Sequence, residues 1–331
     1  NIIENLNISN SVEKKWYTNY RLLQYYRKVY EIAVSTFLSA PAVIFLDEDA
    51  RVSPDFFSFM SQTFWLLYED PSIYCITGFA HLGLKGLAHH PSKIQRGRIQ
   101  VEWGYAITNE FIKEALSMWP DKSDNYNLIY DFWLYQYVSK NRECVFPEFS
   151  RIHHFGVGVN SIADMVEMIY QPMPVVEEAN VPLANIDNIL YYNWKRELTI
   201  NITSAVPLEG NPCSLNFLPS PAKENHYSFF YKLNRQSNGQ LDEYQYYESV
   251  FCMGTWGMSE QGHHEGVTIL SPSYYVTLYM IGVPFSSYSN LLPNNYSLWD
   301  IDKITNATFD ANQERIEEIS LLRIYPRNIN V

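Results

Sequence analysis

The sequence predicts an α/β protein: a mostly parallel, Rossmann-like sheet in the first half of the chain, followed by a smaller, β-rich α+β domain. Apolar runs at 42–46 and 72–79 are typical of buried strands, and they alternate with segments whose apolar residues recur every three or four positions, as in helices. This alternation ends after Gly156, and beyond about residue 200 short apolar runs alternate with Pro, Asn and Ser turns. We therefore predict domains over 1–156 and 201–331, joined by an irregular but structured linker over 157–200.

The first predicted elements are a helix and a strand that ends in three acids. Mixed three- and four-residue spacing of aromatic and apolar residues predicts a helix over 12–38, and the run at 42–46 predicts a strand buried on both faces. Asp47, Glu48 and Asp49 follow that strand. Ligands of open α/β sheets bind outside the carboxyl ends of strands, and carboxylates are ligands for Mg²⁺ and Mn²⁺. The acids therefore predict a metal and diphosphate site, and a solvated acidic turn is the alternative.

The remaining elements of the first half follow from caps and breakers. Ser53 and Thr108 have the side chains of N-cap residues, and Pro54 suits a first helical turn. The predicted order is a helix over about 53–69, a strand over 72–79, a loop over 80–100, a strand over 100–107, a helix over 108–118 and a helix over about 128–139.

Charge and hydropathy exclude two classes of partner. The net charge of −12 argues against a nucleic-acid partner, because no basic surface would be left to neutralise phosphates. It also argues against docking on anionic lipid. The sequence has no apolar run long enough to span a bilayer, so we expect no membrane contact by this chain.

Cysteines and glycosylation acceptors favour the lumen of the secretory pathway (Golgi) or secretion. The cysteine spacings match no zinc pattern, and four cysteines are compatible with two disulfides. Four Asn-x-Ser/Thr acceptors begin at Asn7, Asn201, Asn295 and Asn306. The sequence starts with Asn rather than Met and shows no signal peptide, so we expect it to begin inside a larger precursor.

Several motifs in a fixed order carry a family resemblance. They are Asp47-Glu48-Asp49, Asp55-Phe56-Phe57-Ser58-Phe59, Tyr74-Cys75-Ile76, Arg142-Glu143-Cys144, Ser150-Arg151-Ile152-His153-His154-Phe155-Gly156, Asn211-Pro212-Cys213, Phe217-Leu218-Pro219, Gly282-Val283-Pro284 and Ser287-Tyr288-Ser289. With these motifs the chain resembles the inverting β-1,2-N-acetylglucosaminyltransferases, the family of N-acetylglucosaminyltransferase I, with the protein O-mannose enzymes closer. The resemblance implies part of a glycosyltransferase A-type fold.

The resemblance also implies roles for individual residues. Asp49 would contact Mn²⁺ on UDP-GlcNAc, with Asp47 and Glu48 in support. Asp131, just ahead of a Trp, would deprotonate the acceptor hydroxyl, because a sugar hydroxyl is a poor nucleophile until a carboxylate accepts its proton. An acid favoured by a helix N-terminus is the alternative for Asp131. Arg96 would lie on a loop near the donor, where a solvated Arg is the alternative. Trp103 is assigned to the substrate site. The implied disulfides are Cys75–Cys144 and Cys213–Cys252.

Three departures from the family pattern leave two functions open. Phe79-Ala80-His81 replaces the family's Trp-Asn-Asp, and Glu102 replaces a Gly. The family's opening βαβ half, which holds the nucleoside, is expected to be missing. One hypothesis is a glycosyltransferase that passes GlcNAc from UDP-GlcNAc to a mannose of a glycoprotein glycan. The other is an inactive secreted scaffold that binds glycans or serves in an assembly. In either case another chain, or the cleaved N-terminal segment, is expected to cover the exposed sheet edge.

Overall fold

Two five-stranded sheets and one short strand pair organise the chain in this computed structural model, which describes residues 18–120, 128–156, 170–219, 225–255 and 261–324. The strands are β1 Ala42–Phe45, β2 Ala50–Val52, β3 Ile73–Thr77, β4 Ile94–Gly97, β5 Tyr105–Thr108, β6 Glu143–Pro147, β7 Ile152–His154, β8 Val206–Leu208, β9 Asn225–Leu233, β10 His263–His264, β11 Val267–Ser273 and β12 Val276–Pro284. The α-helices are α1 Thr18–Thr36, α2 Phe56–Thr63, α3 Leu66–Glu69, α4 Asn109–Met118, α5 Tyr130–Trp133, α6 Tyr191–Ser204, α7 Glu243–Val250 and α8 Asn306–Ile324.

The first sheet confirms the α/β class and is mixed in direction. Its order is β1-β5-β3-β6-β4. Strands β1, β3 and β6 share one direction, while β4 and β5 run the opposite way. Strand β1 is at the edge, and of its residues only Phe45 is fully buried. The prediction that this strand is buried on both faces was therefore wrong, because an apolar run alone does not distinguish an edge strand from a central one.

Of the two predicted N-cap residues, Thr108 caps a helix and Ser53 does not. Thr108 caps α4, as predicted: its hydroxyl accepts a hydrogen bond from the Phe111 N–H at 3.1 Å. Ser53 does not cap α2, because that helix begins three residues later, after Asp55. The Ser53 hydroxyl instead accepts from the Asp55 N–H at 3.2 Å. The helix predicted over 53–69 is divided into α2 and α3.

Two segments predicted to be irregular contain regular structure. Strand β4 lies inside the predicted loop over 80–100. By contrast, the π-helix at Leu134–Val138, which continues from α5, falls within the segment predicted as a helix over about 128–139. Part of the predicted linker forms helix α6, which buries Leu198 and Ile202 against the second sheet, so the expectation of an irregular segment there was wrong. Residues 157–169 of the linker lie outside the described residues.

The second sheet has the order β10-β11-β12-β9-β8, and β9 pairs in parallel with β12 along nine residues. One continuous cluster of buried apolar side chains joins it to the first sheet, with Tyr74 and Phe146 on one side and Phe229 and Leu278 on the other. The predicted boundaries at 156 and 200 stay predictions, but the two sheets share a core.

A buried polar network also ties the two sheets together. The guanidinium of Arg96, in β4, donates to Glu143 at 2.6 Å and to Asp70 at 2.7 Å. Glu143 is in turn 2.8 Å from Nδ1 of His264 in the second sheet. Burial alone would raise the pKa of Glu143, but the charges and hydrogen bonds of His264 and Arg96 lower it overall. A carboxylate is therefore held between the two sheets by cationic and imidazole partners from both.

The structure contains the two disulfides that the resemblance implies. Cys75 joins Cys144 between the paired strands β3 and β6, and Cys213 joins Cys252. None of the helices in the described part of the chain combines the length and the apolar character that a membrane span needs.

Candidate functional site

The carboxyl ends of β1, β3 and β6 meet at one edge of the first sheet, where the predicted site residues begin. Phe45, the last residue of β1, pairs with Tyr105, and Tyr105 pairs with Thr77 at the end of β3. The acidic turn therefore lies beside the segment that precedes β5, which contains Glu102 and Trp103. This is the edge at which ligands of open α/β sheets bind.

The three acids of the turn point to different partners. Asp47 accepts a hydrogen bond from the Tyr26 hydroxyl of α1, whereas Glu48 is exposed. Oδ2 of Asp49 lies 3.2 Å from Nε2 of His154, and the Asp49 side chain is 40% exposed. Burial raises the pKa of Asp47, the hydrogen bond from Tyr26 opposes this shift, and the charges of Asp49 and Glu48 add to it. Of the three, Asp49 is thus both oriented and open to a ligand.

Local backbone geometry holds Asp49 in place. Its carbonyl accepts from the Phe155 N–H at 3.0 Å, and β2 pairs with β7 in the register Ala50 to His154. A Cβ on Gly156 would lie 1.8 Å from Oδ2 of Asp49, so this position must be glycine for the carboxylate to keep its place. The Ser-Arg-x-x-His-Phe-Gly motif therefore positions the acidic turn.

Asp131 lies in the first turn of α5, beside the acidic turn: the preceding residue, Tyr130, stacks on Tyr26, the tyrosine that donates to Asp47. Its Oδ1 accepts from the Phe132 N–H at 2.7 Å. Burial raises the pKa of Asp131 to about 7, and the negative charge of Asp47 contributes to that shift. The charge of Asp131 also raises the pKa of Glu102. Asp131 therefore lies close enough to both Asp47 and Glu102 for their charges to interact, although the three residues come from separate elements.

Glu102 is the residue that sequence reasoning missed as a member of the site. Its side chain is buried and accepts from Gln100, and burial raises its pKa to about 8. Nδ1 of His81 lies 3.8 Å from its Oε2, and burial lowers the pKa of His81 to about 3, so this imidazole is neutral. The signal was present: an acid between Val101 and Trp103, in a segment that is otherwise apolar.

Aromatic side chains form a wall beside the acids. The Trp103 ring stacks on His154, with 4.1 Å between centroids, and makes edge contacts with Phe79 and Tyr170 at 4.8 and 4.9 Å. This places Trp103 next to Asp49, through their shared contact with His154. The apolar face of an indole next to carboxylates can stack against a sugar ring.

Arg96 was expected on a loop near the donor, with a solvated Arg as the alternative, and the structure contradicts both the loop position and the solvated side chain. It lies in β4 rather than in a loop, its side chain is fully buried, and its partners Asp70, Ser72 and Glu143 lie at the amino ends of β3 and β6. This is the edge opposite Asp49. A strand that runs antiparallel to its neighbour reverses which end faces the site, and the sequence did not reveal that direction.

Comparison with known proteins agrees with this geometry. The GNT-I family model matches residues 3–234, which include the acidic turn, Glu102, Trp103 and Asp131. The chain belongs to the GNT-I family. It is also 24% identical over 132 residues to an alpha-1,3-mannosyl-glycoprotein 2-beta-N-acetylglucosaminyltransferase of Arabidopsis thaliana. That alignment covers 40% of this chain and 28% of the relative. The resemblance inferred from the motifs is confirmed, and the chain is a glycosyltransferase-like protein.

Among the three acids of the turn, Asp49 is the carboxylate that is best placed to contact a cation, because it is both oriented and partly exposed. No group of three or more His, Cys, Asp or Glu side chains within the described ranges could hold a metal ion. Asp49 and His154 offer two ligand groups, which is too few for an all-protein cage. Mg²⁺-like cations, however, are often bound by one or two carboxylates together with substrate phosphates and water. The residues therefore fit a cation only where a bound diphosphate completes the coordination.

The glycosylation acceptors of this GNT-I family chain occupy unlike positions. Asn295 and Asn306 are exposed, whereas Asn7 lies outside the described residues. Asn201 is partly buried within α6, and its side chain hydrogen-bonds the phenol of Tyr279. Glycosylation at Asn201 would have to break that bond. All four acceptors stay predictions.

Proposed function

We propose that this GNT-I family chain transfers GlcNAc from UDP-GlcNAc to a mannose of a glycoprotein glycan, with inversion, in the lumen of the secretory pathway, such as the Golgi. The name of the Arabidopsis relative states a GlcNAc transfer to a mannosyl glycoprotein, and the two disulfides suit an oxidising compartment. The observation that carries the proposal is the position of Asp131, a carboxylate beside the acidic turn with a pKa near 7.

Asp131 acts as the general base. Its carboxylate accepts the proton of the attacking mannose hydroxyl as that oxygen bonds to C1 of GlcNAc, and the bond between C1 and the UDP oxygen breaks on the opposite face. A base with a pKa near the working pH combines a large deprotonated fraction with adequate basicity. The negative charge of Asp47 increases that basicity, because it disfavours the ionised form of Asp131.

Asp49 is the residue that would hold Mn²⁺ against the diphosphate, and Asp47 and Glu48 support the turn. The cation supplies charge stabilisation for the departing UDP. His154 and Gly156 orient Asp49 through the contacts described above. Trp103, fixed between His154 and Tyr170, offers its ring face to a sugar.

The direct test is a transfer assay with UDP-GlcNAc, Mn²⁺ and a mannose-terminated glycopeptide. Asp131→Asn keeps the shape of the side chain and should lower kcat by about 10²–10⁴-fold, the usual share of a general base. Asp310→Asn, in the exposed part of α8, is the matched control and should not change kcat. In the unmodified chain the rate should rise with pH up to about 7, where Asp131 becomes deprotonated, and then level off.

A thermal-shift measurement separates a working site from an inactive scaffold. Mn²⁺ with UDP should raise the melting temperature of the chain, because a ligand that binds only the native state stabilises it. Asp49→Asn should abolish that rise and leave the melting temperature without ligand nearly unchanged. An unmodified chain that shows neither transfer nor a shift would instead support the second hypothesis, a scaffold that has kept the fold without the chemistry.

A further inference from the structure

A second cleft lies between the two sheets, at the edge of the first sheet that faces away from the acidic turn. Its volume is about 790 Å³. Arg98 follows β4 at the point where that strand pairs with Cys144, at the amino end of β6. The other wall comes from the second half of the chain, with Arg235, Asn238 and Gln240 on a hairpin.

The two arginines of the cleft carry charge that no carboxylate in the described part of the chain neutralises. Among the described residues, neither guanidinium has an Asp or Glu oxygen within ion-pair distance. Arg98 donates to the side chain of Asn141, while its buried Nε finds no acceptor in the described structure. Within the described ranges, Arg235 donates only to backbone carbonyls, those of Gly239 at 3.3 Å and Phe285 at 3.0 Å. In a chain with a net charge of −12, this is an isolated positive site.

Both guanidinium groups are held in place before any ligand arrives. Cζ of Arg98 lies 4.6 Å from the ring centroid of Tyr135, and Cζ of Arg235 lies 4.3 Å from that of Phe285. The backbone N–H of Arg98 also donates to the His263 carbonyl at 2.7 Å, and this bond fixes the backbone of Arg98 against the second sheet. A planar guanidinium held on a ring keeps its outer N–H groups available for an anionic acceptor such as a carboxylate or phosphate.

The acids that line the same cleft have their own cationic partners. Glu143 is bound by Arg96 and His264, and Glu265 is 3.2 Å from Nζ of Lys195. Burial would raise the pKa of Glu265, but hydrogen bonds from Ser287 and Tyr191 together with nearby positive charge lower it to about 2. These carboxylates are therefore ionised and compensated, and the uncompensated charge in the cleft is positive.

We propose that this cleft binds an anionic oligosaccharide, a sugar chain that bears carboxylate, sulfate or phosphate groups. The arginines would take the acidic groups through charge-assisted hydrogen bonds. The side-chain amides of Asn141, Asn238 and Gln240 supply donors and acceptors for hydroxyl groups, and the Tyr137 ring, 56% exposed, supplies a face for a sugar ring. Amides on both walls and an exposed ring favour a saccharide over an acidic peptide. The proposal goes beyond the transferase function and does not depend on it.

Isothermal titration calorimetry on the full chain tests this assignment with four probes. A heparin-derived tetrasaccharide carries sulfates and carboxylates, trigalacturonic acid carries carboxylates alone, chitotriose is neutral, and hexaglutamate is an acidic peptide. We expect one or both anionic saccharides to bind, more weakly at about 0.15 M salt than at low salt, because salt screens exposed charges. The anionic saccharide that binds more tightly indicates whether the cleft prefers sulfate or carboxylate groups.

Variants then locate the binding site. Arg98→Gln with Arg235→Gln should weaken saccharide binding by about tenfold or more, the loss expected for charged hydrogen bonds. The matched control is Arg196→Gln with Lys113→Gln, two exposed cations outside the cleft that remove the same charge. If the double variant does not fold, the single variant Arg235→Gln, at an exposed position, tests the same site. Retained binding in the cleft variants, equal binding of chitotriose or hexaglutamate, or no binding by either anionic saccharide would overturn the proposal.

Discussion

Buried carboxyl groups define the chemistry of this molecule at the scale of single residues. Burial raises the pKa of both Glu102 and Asp131; the negative charge of Asp131 adds to the shift of Glu102, and the negative charge of Asp47 adds to the shift of Asp131. Folding confines these acids in a region with little solvent, where the protonated form is favoured. Such an arrangement costs stability at neutral pH, which is a common property of sites selected for activity.

The free energy of unfolding should depend on pH through Glu102. Because its pKa is about 8 in the folded state and near 4.5 when unfolded, the folded state keeps a proton that the unfolded state releases between those values. Stability should therefore fall as the pH rises from about 4.5 to 8, and Glu102→Gln should recover roughly 4 kcal/mol at pH 8. Urea unfolding at pH 5 and pH 8 measures this, with the exposed Glu317→Gln as control. A variant whose stability still falls as steeply as that of the unmodified chain would contradict the assignment.

At the scale of elements, β4 and β6 carry the polar network that joins the two sheets. Arg96 forms ion pairs with Asp70 and Glu143, and without this cation the burial of either carboxylate would be unfavourable. His264, from β10, completes the arrangement through Glu143 and the Tyr288 hydroxyl, at 2.8 and 3.2 Å. The strands are thus joined by charge as well as by backbone pairing.

Replacing Arg96 tests that network. Arg96→Met should destabilise the fold by about 3–5 kcal/mol, because Asp70 and Glu143 would remain buried without their cation. Arg315→Met, which breaks an exposed pair with Glu318 in α8, should cost less than about 1 kcal/mol. Chemical denaturation compares the two, with Arg96→Lys as a variant that keeps the charge. Equal costs for both Met variants would show that the Arg96 network adds nothing beyond a surface pair.

The disulfides belong to the same scale, since each fixes elements that are distant in sequence. Cys75–Cys144 and Cys213–Cys252 close loops with sequence separations of 69 and 39. In the chain-entropy model each should stabilise the fold by about 4 kcal/mol, so Cys75→Ala with Cys144→Ala should lower the unfolding free energy by that order. Peptide mapping without reduction checks the pairing directly, and a peptide joining Cys75 to Cys213 would refute it.

Element positions were predictable where a local rule decided them, and less so where pairing decided them. The Thr108 cap and helix α4 depend on neighbouring residues, and both were predicted. Strand β4 contains Gln95 and Arg96, which do not look like core residues until Asp70 and Glu143 are brought to them from elsewhere. Asp49 and Asp131 could be proposed from motifs. Glu102 stood out in the sequence only as an acid in an apolar segment, because its burial and the nearby charge of Asp131, which together raise its pKa, follow from the fold.

At the scale of the whole molecule, the first sheet ends at β1, whose outer side pairs with no strand in the described part of the chain. Large apolar side chains next to this strand are exposed, with Leu38 at 79% and Leu46 at 47%. An open strand edge beside exposed apolar groups is prone to pair with another chain.

We therefore predict that a further segment or a second chain covers the edge of β1. Light scattering of the purified chain should show a species larger than the monomer or a bound peptide. Hydrogen exchange over residues 42–46 should be slow in that species, because the covering strand would protect the backbone amides. A stable monomer with fast exchange over 42–46 would show that the edge needs no cover.

The link between the sheets has a consequence for how fast the second cleft can be filled. Glu143 and His263 line that cleft and also take part in the contacts that join the two sheets, so its walls cannot separate without disrupting the fold. A ligand would meet a ready-made shape and need not wait for the walls to close. Its association rate should then follow diffusion and ionic strength, and differences in affinity between ligands should appear in how long each one stays.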